Sequence, residues 1–420
     1  MSDFIRRKIC EGVTFGSFSD DRFKKGRISA TLLTPLSRET AAANALLSCV
    51  LTRSCRKYPD FTSLSRRLEE LYGAGLYNGI RQIGDHQALT LTVAGLDDKY
   101  TFENDSISGE LAELLCNIMF DPDIREGKFA EENLEQERRQ ILEDIESENN
   151  DKRLFAIKRC IEIMCENETY SIGRFGDKKD IEVLENQDVC RAWERLMDSA
   201  RVELTMLGDS SPEYAFESFR EQFSGKPRAF VPVEPEEYEL RELRRVTETE
   251  ELSQSKLVLG LRCAAFDRDM DCIANSLMNI ILGGTPTSKL FLNVREKKSL
   301  CYYCVSRVDS SKGIMLIDSG VETDNLSAAE EAILEQLEEM KKGNITTDEL
   351  ENAKLALKNA YLSSLDSLAS IQSYYIGGLL VKDKLSPQEA AQAVDKITLD
   401  RITELAEKVK PDTIYALKGR

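Results

Sequence analysis

The chain repeats itself once. Gly127 opens GKFAEENLEQERRQILEDIES and Gly343 opens GNITTDELENAKLALKNAYLSS, each a loop running into a long helix. The two glycines are 216 residues apart, as are Leu134 and Leu350, and Glu135 and Glu351, so the register carries into both helices. An internal repeat of this size means one structural plan used twice, and it governs how every local pattern is interpreted. Upstream of each long helix lies a segment of period two, QALTLTVAGL and then GIMLIDSGV, the mark of half-buried strands. LAELLCNIMF and AAEEAILEQLEEM follow with apolar residues at three- and four-residue spacing, which gives each helix one buried stripe to lay on a sheet. Each half therefore reads as α+β.

Between the halves, KPRAFVPVEPEEYELRELRRVTETEE is rich in proline and charge and poor in apolar periodicity. We read residues 224–248 as a linker, with one domain over 1–223 and a similar one over 249–420. ARVELTMLGD and SQSKLVLGLRC are strand candidates on either side of it, and SPEYAFESFREQF is a helix.

A length of 420 residues is enough for two to four domains with cores of their own. A net charge of −18 leaves no broad basic surface for phosphates, so nucleic-acid partners are excluded. The acids are read mainly as solvated helix faces, although an acidic chamber would also attract basic peptides. The opening MSDFIRRKICEG has no apolar core segment and no stretch approaches the roughly 20 apolar residues that cross a bilayer, so we expect a cytoplasmic protein without a membrane partner. Eleven cysteines scattered through helix and strand patterns read as reduced thiols.

In order along the chain, RKYPDFTSLSRRLEELYGAGL, YSIGRFGDKKDIEVL, VELTMLGDSSPEYAFESF, SQSKLVLGL, ILGGTPTSKLF and REKKSLCYYCVSR resemble the landmarks of the M16 metallopeptidases, the pitrilysin, insulinase and mitochondrial-processing type. The resemblance spans nearly the whole chain. It implies two similar α+β domains, each an antiparallel-rich sheet packed with helices, together forming half of a peptide-enclosing clamshell. Members of the family hold zinc with HxxEH on a helix, two histidines one turn apart and a glutamate that activates water. The matching positions here are Ala45, Leu46, Leu47, Ser48 and Cys49. The family's third ligand lies in a later sequence like ERxxILEE, which ERRQILED matches with Glu137 and Asp144, Asp144 standing at the ligand position. Seven residues along a helix return to nearly the same face, so both carboxylates are expected to turn toward the former site. Cys49 and Asp144 alone leave a catalytic zinc one ligand short. We therefore expect no metal or other cofactor in this chain.

The one histidine, His86 in GDHQALTLTV, reads as a loop residue. A rescued site from Cys49, Cys55, Asp144 and His86 is the alternative, and a buried apolar helix over 45–51 is the better reading. CYYC, residues 301–304, lies in a strand pattern, where residues three apart face opposite ways, so Cys301 and Cys304 read as packing residues unable to share a metal or a disulfide.

REKKSLCYY also matches the family's Arg-x6-Tyr pattern, with Arg295 and Tyr302 on its positions. The resemblance implies that this pair holds substrate backbone and supports the oxyanion at a zinc site carried by the opposite half, roles that suit a guanidinium fork and a phenol. Its retention beside the missing HxxEH points to a non-catalytic subunit. That subunit would enclose peptide, with QALTLTVAGL offering an edge to it, and would lend Arg295 and Tyr302 to an HxxEH-bearing partner that holds the zinc. Two alternatives stand beside it: a homodimeric, self-associating peptide-binding scaffold without a proteolytic role, and a peptidase with an atypical metal site.

Overall fold

We analysed a computed structural model that describes residues 4–102, 105–225, 228–230, 232, 238 and 241–420. In the first half, KGRISATLLTP turns Ile28, Ala30 and Leu32 to one side and Ser29 and Thr31 to the other, and this strand organises a six-stranded sheet. Its strands are β1 (Ile5–Cys10), β2 (Val13–Ser19), β3 (Lys25–Pro35), β4 (Gly75–Ile83), β5 (His86–Leu96) and β6 (Arg201–Gly208), in the order β1-β2-β6-β3-β5-β4. The second half builds five strands, β7 (Arg244–Glu250), β8 (Ser255–Arg262), β9 (Cys301–Asp309), β10 (Ile314–Val321) and β11 (Lys410–Gly419), in the order β7-β11-β8-β10-β9.

The repeat is visible in the pairing. A parallel pair, β2 with β6 and then β7 with β11, adjoins an antiparallel strand and a hairpin in both sheets. The long helices Glu131–Asn150 and Thr347–Ser363 begin 216 residues apart, at the spacing of the sequence repeat. The protein is thus mixed α and β, two sheets packed with helices.

Three features depart from the sequence pattern. The hairpin β1–β2 has no counterpart among the patterns read above. Strand β7 falls mostly within the segment read as linker. Its burial alternates between partly buried and exposed, and it pairs with β11 alone. A charged strand such as RRVTETE suits a sheet edge, where polar side chains discourage further pairing. Much of the remainder of 224–248 lies outside the described residues. Finally, β5 is central, with β3 on one side and β4 on the other. QALTLTVAGL therefore has no edge to offer a peptide, and β4 is the outer strand at that end of the sheet.

The chain forms two compact units, and each borrows a segment from the far half of the sequence. The first comprises Met1–Glu146, Ile172–Glu234 and Ser367–Ile376. The second comprises Ser147–Ser171, Pro235–Asp366 and Gly377–Arg420. In the first unit the face of the sheet turned away from the main core is polar. Ser29 bonds Thr205 at 2.5 Å and Thr31 bonds Thr90 at 2.9 Å. The borrowed helix Leu368–Gly377 matches that polarity: Gln372 donates to Thr92 at 3.1 Å and meets Arg27, and Ser373 accepts from Arg81 at 3.1 Å.

In the second unit the corresponding face is apolar. Val258, Ile314, Leu316, Tyr415 and Leu417 pack against Ala156, Ile157, Cys160 and Met164 of the borrowed helix Lys152–Met164. Gly260 permits that approach, since a Cβ there would stand 2.7 Å from Met164 Sδ. With Leu257, Leu259 and Leu261 filling the opposite core, β8 is buried on both faces, which explains the unbroken apolar run LVLGL.

At the end of this helix lies a buried charge cluster. Arg262, 2% exposed, donates to Glu168, to Asp412 at 3.2 Å and to the Met164 carbonyl at 3.0 Å, and Lys312 pairs with Glu168 at 3.1 Å. Burial alone would raise the Glu168 carboxyl, but hydrogen bonds and charge from Arg262 and Lys312 outweigh it and hold it below its ordinary value. A carboxylate depressed in the folded state stabilises fully above its unfolded pKa of about 4.3 and loses that contribution as pH falls through the lower folded value. Urea unfolding between pH 7 and pH 3 should therefore show a loss of stability beginning near pH 5, and Glu168→Gln should be less stable at pH 7 but flatter on the acid side. Equal acid slopes for the two proteins would show that Glu168 is not so linked.

Candidate functional site

Apart from Asn44 and Ser48 the helix Ala41–Val50 is apolar on every side, and each of its ten residues is buried. A helix of that kind belongs inside a core. An amide network fixes it to β5: Asn44 Nδ2 donates to Gln87 Oε1 at 2.9 Å, Gln87 Nε2 donates to the Ala41 carbonyl at 3.0 Å, and Arg195 donates to Asn44 Oδ1 at 2.7 Å. These bonds set where Ala45, Ser48 and Cys49 sit.

None of the three is placed to hold a cation. Ala45 has no donor atom and no exposure. Ser48 borders an apolar cavity of about 20 Å³ lined by Leu32, Leu47, Leu91, Met119 and Leu196, and its hydroxyl has no hydrogen-bond partner among the described residues. Cys49 accepts from Asn78 Nδ2 of β4 at 3.1 Å. Burial first, then the charges of Glu137 and Asp144, push its thiol up to about 12, so it is protonated at neutral pH.

The two carboxylates on Glu131–Asn150 do approach this region, since both act on the Cys49 thiol. Their environments differ. Glu137 is buried and ion-paired with Arg53, whose guanidinium also lies 4.9 Å from the Phe61 ring. Asp144 is exposed and accepts from Gln140 at 3.1 Å. His86 is not a loop residue: it opens β5, is buried, and has an imidazole lowered by desolvation and an Nδ1 with no hydrogen-bond partner among the described residues. Among the described residues no three His, Cys, Asp or Glu side chains converge as a metal-holding group. A zinc ion needs deprotonated donors in number, and this set of one protonated thiol, one arginine-paired glutamate and one outlying aspartate does not fit it.

The second unit carries the arginine and tyrosine. Arg295 lies in the last turn of a π-helical segment, Leu290–Lys297, and Tyr302 is the second residue of β9. The structure brings them together: Arg295 Nε donates to the Tyr302 carbonyl at 2.8 Å, and the guanidinium lies 4.5 Å from the Phe291 ring and 3.1 Å from Glu296. The Tyr302 side chain is 58% exposed, and its hydroxyl donates to Glu322. The Glu322 carboxylate raises the phenol above its ordinary value, so it remains a proton donor. Tyr302 is therefore solvent-facing on the outermost strand of its sheet, with Arg295 beside it.

Residues 184–357 match the sequence profile described as "Peptidase M16 inactive domain". The chain is 26% identical over 409 residues to the "Probable inactive metalloprotease YmfF" of Bacillus subtilis (strain 168), covering 97% of this chain and 96% of that protein. Part of the chain is thus similar to the M16 inactive domain, and nearly all of it to a protein named as a probable inactive metalloprotease. A conserved protein from Enterococcus faecalis V583 superposes with a TM-score of 0.90 at 27% identity, covering 100% of this chain and 99% of that one. An M16 inactive-domain protein from Pseudomonas fluorescens shares the fold at a TM-score of 0.80 and 17% identity, covering 100% and 98%.

Four residues around these M16 positions escaped the sequence analysis: Arg53, Asn78, Phe291 and Glu322. Arg53 was the most accessible, since it stands four residues beyond Cys49. The reading of CYYC is also corrected. Tyr303 pairs with Gly320 and Cys301 with Val321, so two steps on β9 face one on β10, a β-bulge at Tyr302. The bulge reverses the alternation and returns Cys301 to the face of Cys304, and both pack on the same core. Of the residues in CYYC, only the tyrosine at the bulge is turned out strongly.

Two measurements check this degenerate site. Zinc at a hundred times the dissociation constant of a real site would stabilise by about 2.7 kcal/mol, whereas we expect zinc to leave the thermal midpoint unchanged and to be lost on gel filtration. Stoichiometric retained zinc would overturn the assignment. Ser48→Ala should stabilise by roughly 1 kcal/mol, because it removes a buried hydroxyl that lacks a partner, and a loss of stability of that size in urea unfolding would show that the hydroxyl is satisfied.

Proposed function

We propose that this inactive M16 homologue is a non-catalytic subunit that works with an HxxEH-bearing M16 protein, the partner holding the zinc and this chain supplying Arg295 and Tyr302 to the bound peptide. The observation that supports this most is the contrast between the two sites. Three of the metal positions, Ala45, Ser48 and Cys49, are buried in one helix, and Glu137 is neutralised by Arg53, while Tyr302 at the start of β9 and Arg295 in the preceding helical segment are adjacent and accessible. A guanidinium and a phenol are the donors an oxyanion and a peptide carbonyl require. Glu322 holds the Tyr302 hydroxyl in the unbound chain, so donation to a substrate requires the phenol to leave it. The outermost strands of the two sheets are β1, β4, β7 and β9, and of these β9, which carries Tyr302, is the edge to take up extended peptide. A cytoplasmic setting is part of the same reading. Among the described residues no helix is long and apolar enough to cross a membrane.

The test is to mix the chain with HxxEH-bearing M16 homologues and follow peptide cleavage. Cleavage should require this chain, and Tyr302→Phe should lower kcat by about a hundredfold, the range seen when one oxyanion donor is removed. Arg295→Ala should lower kcat/KM at least tenfold. If wild type and both variants support the same cleavage, the subunit role is wrong. A self-associating scaffold would instead give a homodimer that changes no partner's activity.

A further inference from the structure

The bulge at Tyr302 does more than correct a parity. Because Cys301 and Cys304 face Val321 and Ser319 of β10, their separation is that of residues two apart on a strand, about 6.6 Å at about 3.3 Å rise per residue. A disulfide spans Cα atoms about 4.4–6.8 Å apart and Cβ atoms about 3.5–4.5 Å apart, so closure must draw the two strand positions together at the bulge. Both side chains pack on the same core of the second unit, and Cys301 is partly exposed while Cys304 is buried. The other nine cysteines show no thiol–thiol pair of this kind within one strand.

We propose that Cys301 and Cys304 are a redox-active pair, Cys301 the peroxide-reactive thiol and Cys304 the resolving one, closing reversibly to a disulfide across the β-bulge that carries Tyr302. The Cys301 thiolate attacks a hydroperoxide oxygen, breaking the O–O bond and giving a sulfenic acid and, from hydrogen peroxide, hydroxide. The Cys304 thiolate then attacks the sulfenic sulfur and displaces hydroxide, which leaves as water with the proton the thiol gave up. In sum two thiols are oxidised by two electrons, and one hydrogen peroxide is reduced to two waters. A dithiol reductant reverses the change by thiol–disulfide exchange.

Chemistry on the page supports the division of roles. Hydrogen bonds from Cys304 and Ser319, and the charge of Arg295, lower the Cys301 thiol to about 7 despite its burial, while Cys304 is raised well above the ordinary range. A thiol of low pKa, partly exposed and beside a second cysteine, is the arrangement that reacts with peroxide and is rescued from over-oxidation. The other cysteines with a shifted thiol are all raised, so selectivity for this site is built in. Closure draws in the backbone on either side of Tyr302, whose carbonyl Arg295 holds. The inference concerns the thiols alone and holds whether or not the chain serves as a subunit.

Trypsin reports on it directly, since cleavage after Lys298 and Arg307 releases Ser299–Arg307, a peptide whose only cysteines are these two. The full chain is treated with hydrogen peroxide, its remaining thiols are blocked with N-ethylmaleimide in urea, and the digest is weighed. We expect 299–307 to lose two hydrogens and take up no maleimide, to recover both thiols after dithiothreitol, and to react before other cysteines, with Cys301 alkylated in the untreated protein roughly tenfold faster at pH 7 than an ordinary thiol. In Cys304→Ser, Cys301 should be trapped as a sulfenic acid by dimedone, and the circular dichroism of this variant should match wild type. A 299–307 peptide that still carries two maleimides after oxidation, or that holds sulfinic acid without a disulfide in the wild type, overturns the proposal.

Discussion

A cation inside a protein must be paired or it destabilises the fold by several kcal/mol, and the second unit is built around one. Arg262 is the last residue of β8, the central strand of its sheet, and its partners come from two separate stretches of chain: the Met164 carbonyl and Glu168 at and just after the end of the borrowed helix, and Asp412 near the start of β11. The Tyr238 ring lies 4.6 Å from the guanidinium. Each partner satisfies a donor that has no access to water, so the cluster fixes the end of Lys152–Met164, the register of β11 against β8 and the loop bearing Lys312 together. Removing one carboxylate leaves the others with charge they cannot balance, which makes this cluster a constraint on geometry more than a source of net stability.

The two units solve the same covering problem in opposite chemistries. Both sheets have one face on a helical core and a second face met by a helix from the other half of the sequence. In the second unit that contact is apolar and close, and Gly260 is the residue that allows it. In the first it is a hydroxyl and amide lattice of Ser29, Thr31, Thr90, Thr92, Thr205 and Gln372, in which each polar group has a stated partner. A buried polar face tolerates fewer arrangements than an apolar one, because every slip of register leaves donors unpaired. The repeat therefore preserves topology while the side-chain chemistry diverges.

What could be read from the sequence follows from range. β5, β10 and the helices Ile107–Phe120 and Leu326–Lys341 were legible because their periodicity is local and their burial follows from it. The helix Lys152–Met164 was not placed, since its apolar stripe docks on a sheet formed a hundred residues later. β7 was taken for linker because an edge strand needs no apolar alternation. Cys301 and Cys304 were assigned to opposite faces because a bulge is a property of the pairing between β9 and β10, which neither strand announces alone. Around the M16 motif positions the identities were legible, whereas Arg53 and Glu322, which decide what Glu137 and Tyr302 can do, act through space.

The absence of the zinc motif is a matter of packing as well as of lost ligands. Two histidines and a glutamate on a helix with no exposed residue would leave several polar groups to be satisfied in the core, and a metal ion is what normally satisfies them. With Ala45, Ser48 and Cys49 in their place, the polar ties of the helix Ala41–Val50 reduce to the network of Asn44, Gln87 and Arg195. Glu137, the carboxylate that still needs a counter-charge, finds it in Arg53. Reinstating a metal would thus require breaking that ion pair and deprotonating a thiol held near 12, two costs on top of the missing donors. The Arg295–Tyr302 pair carries no such burden, because its donors lie at the surface of a different core and depend on nothing at Cys49. Chemistry that needs a buried ion has been closed off in the fold, and chemistry that needs exposed donors has been left open.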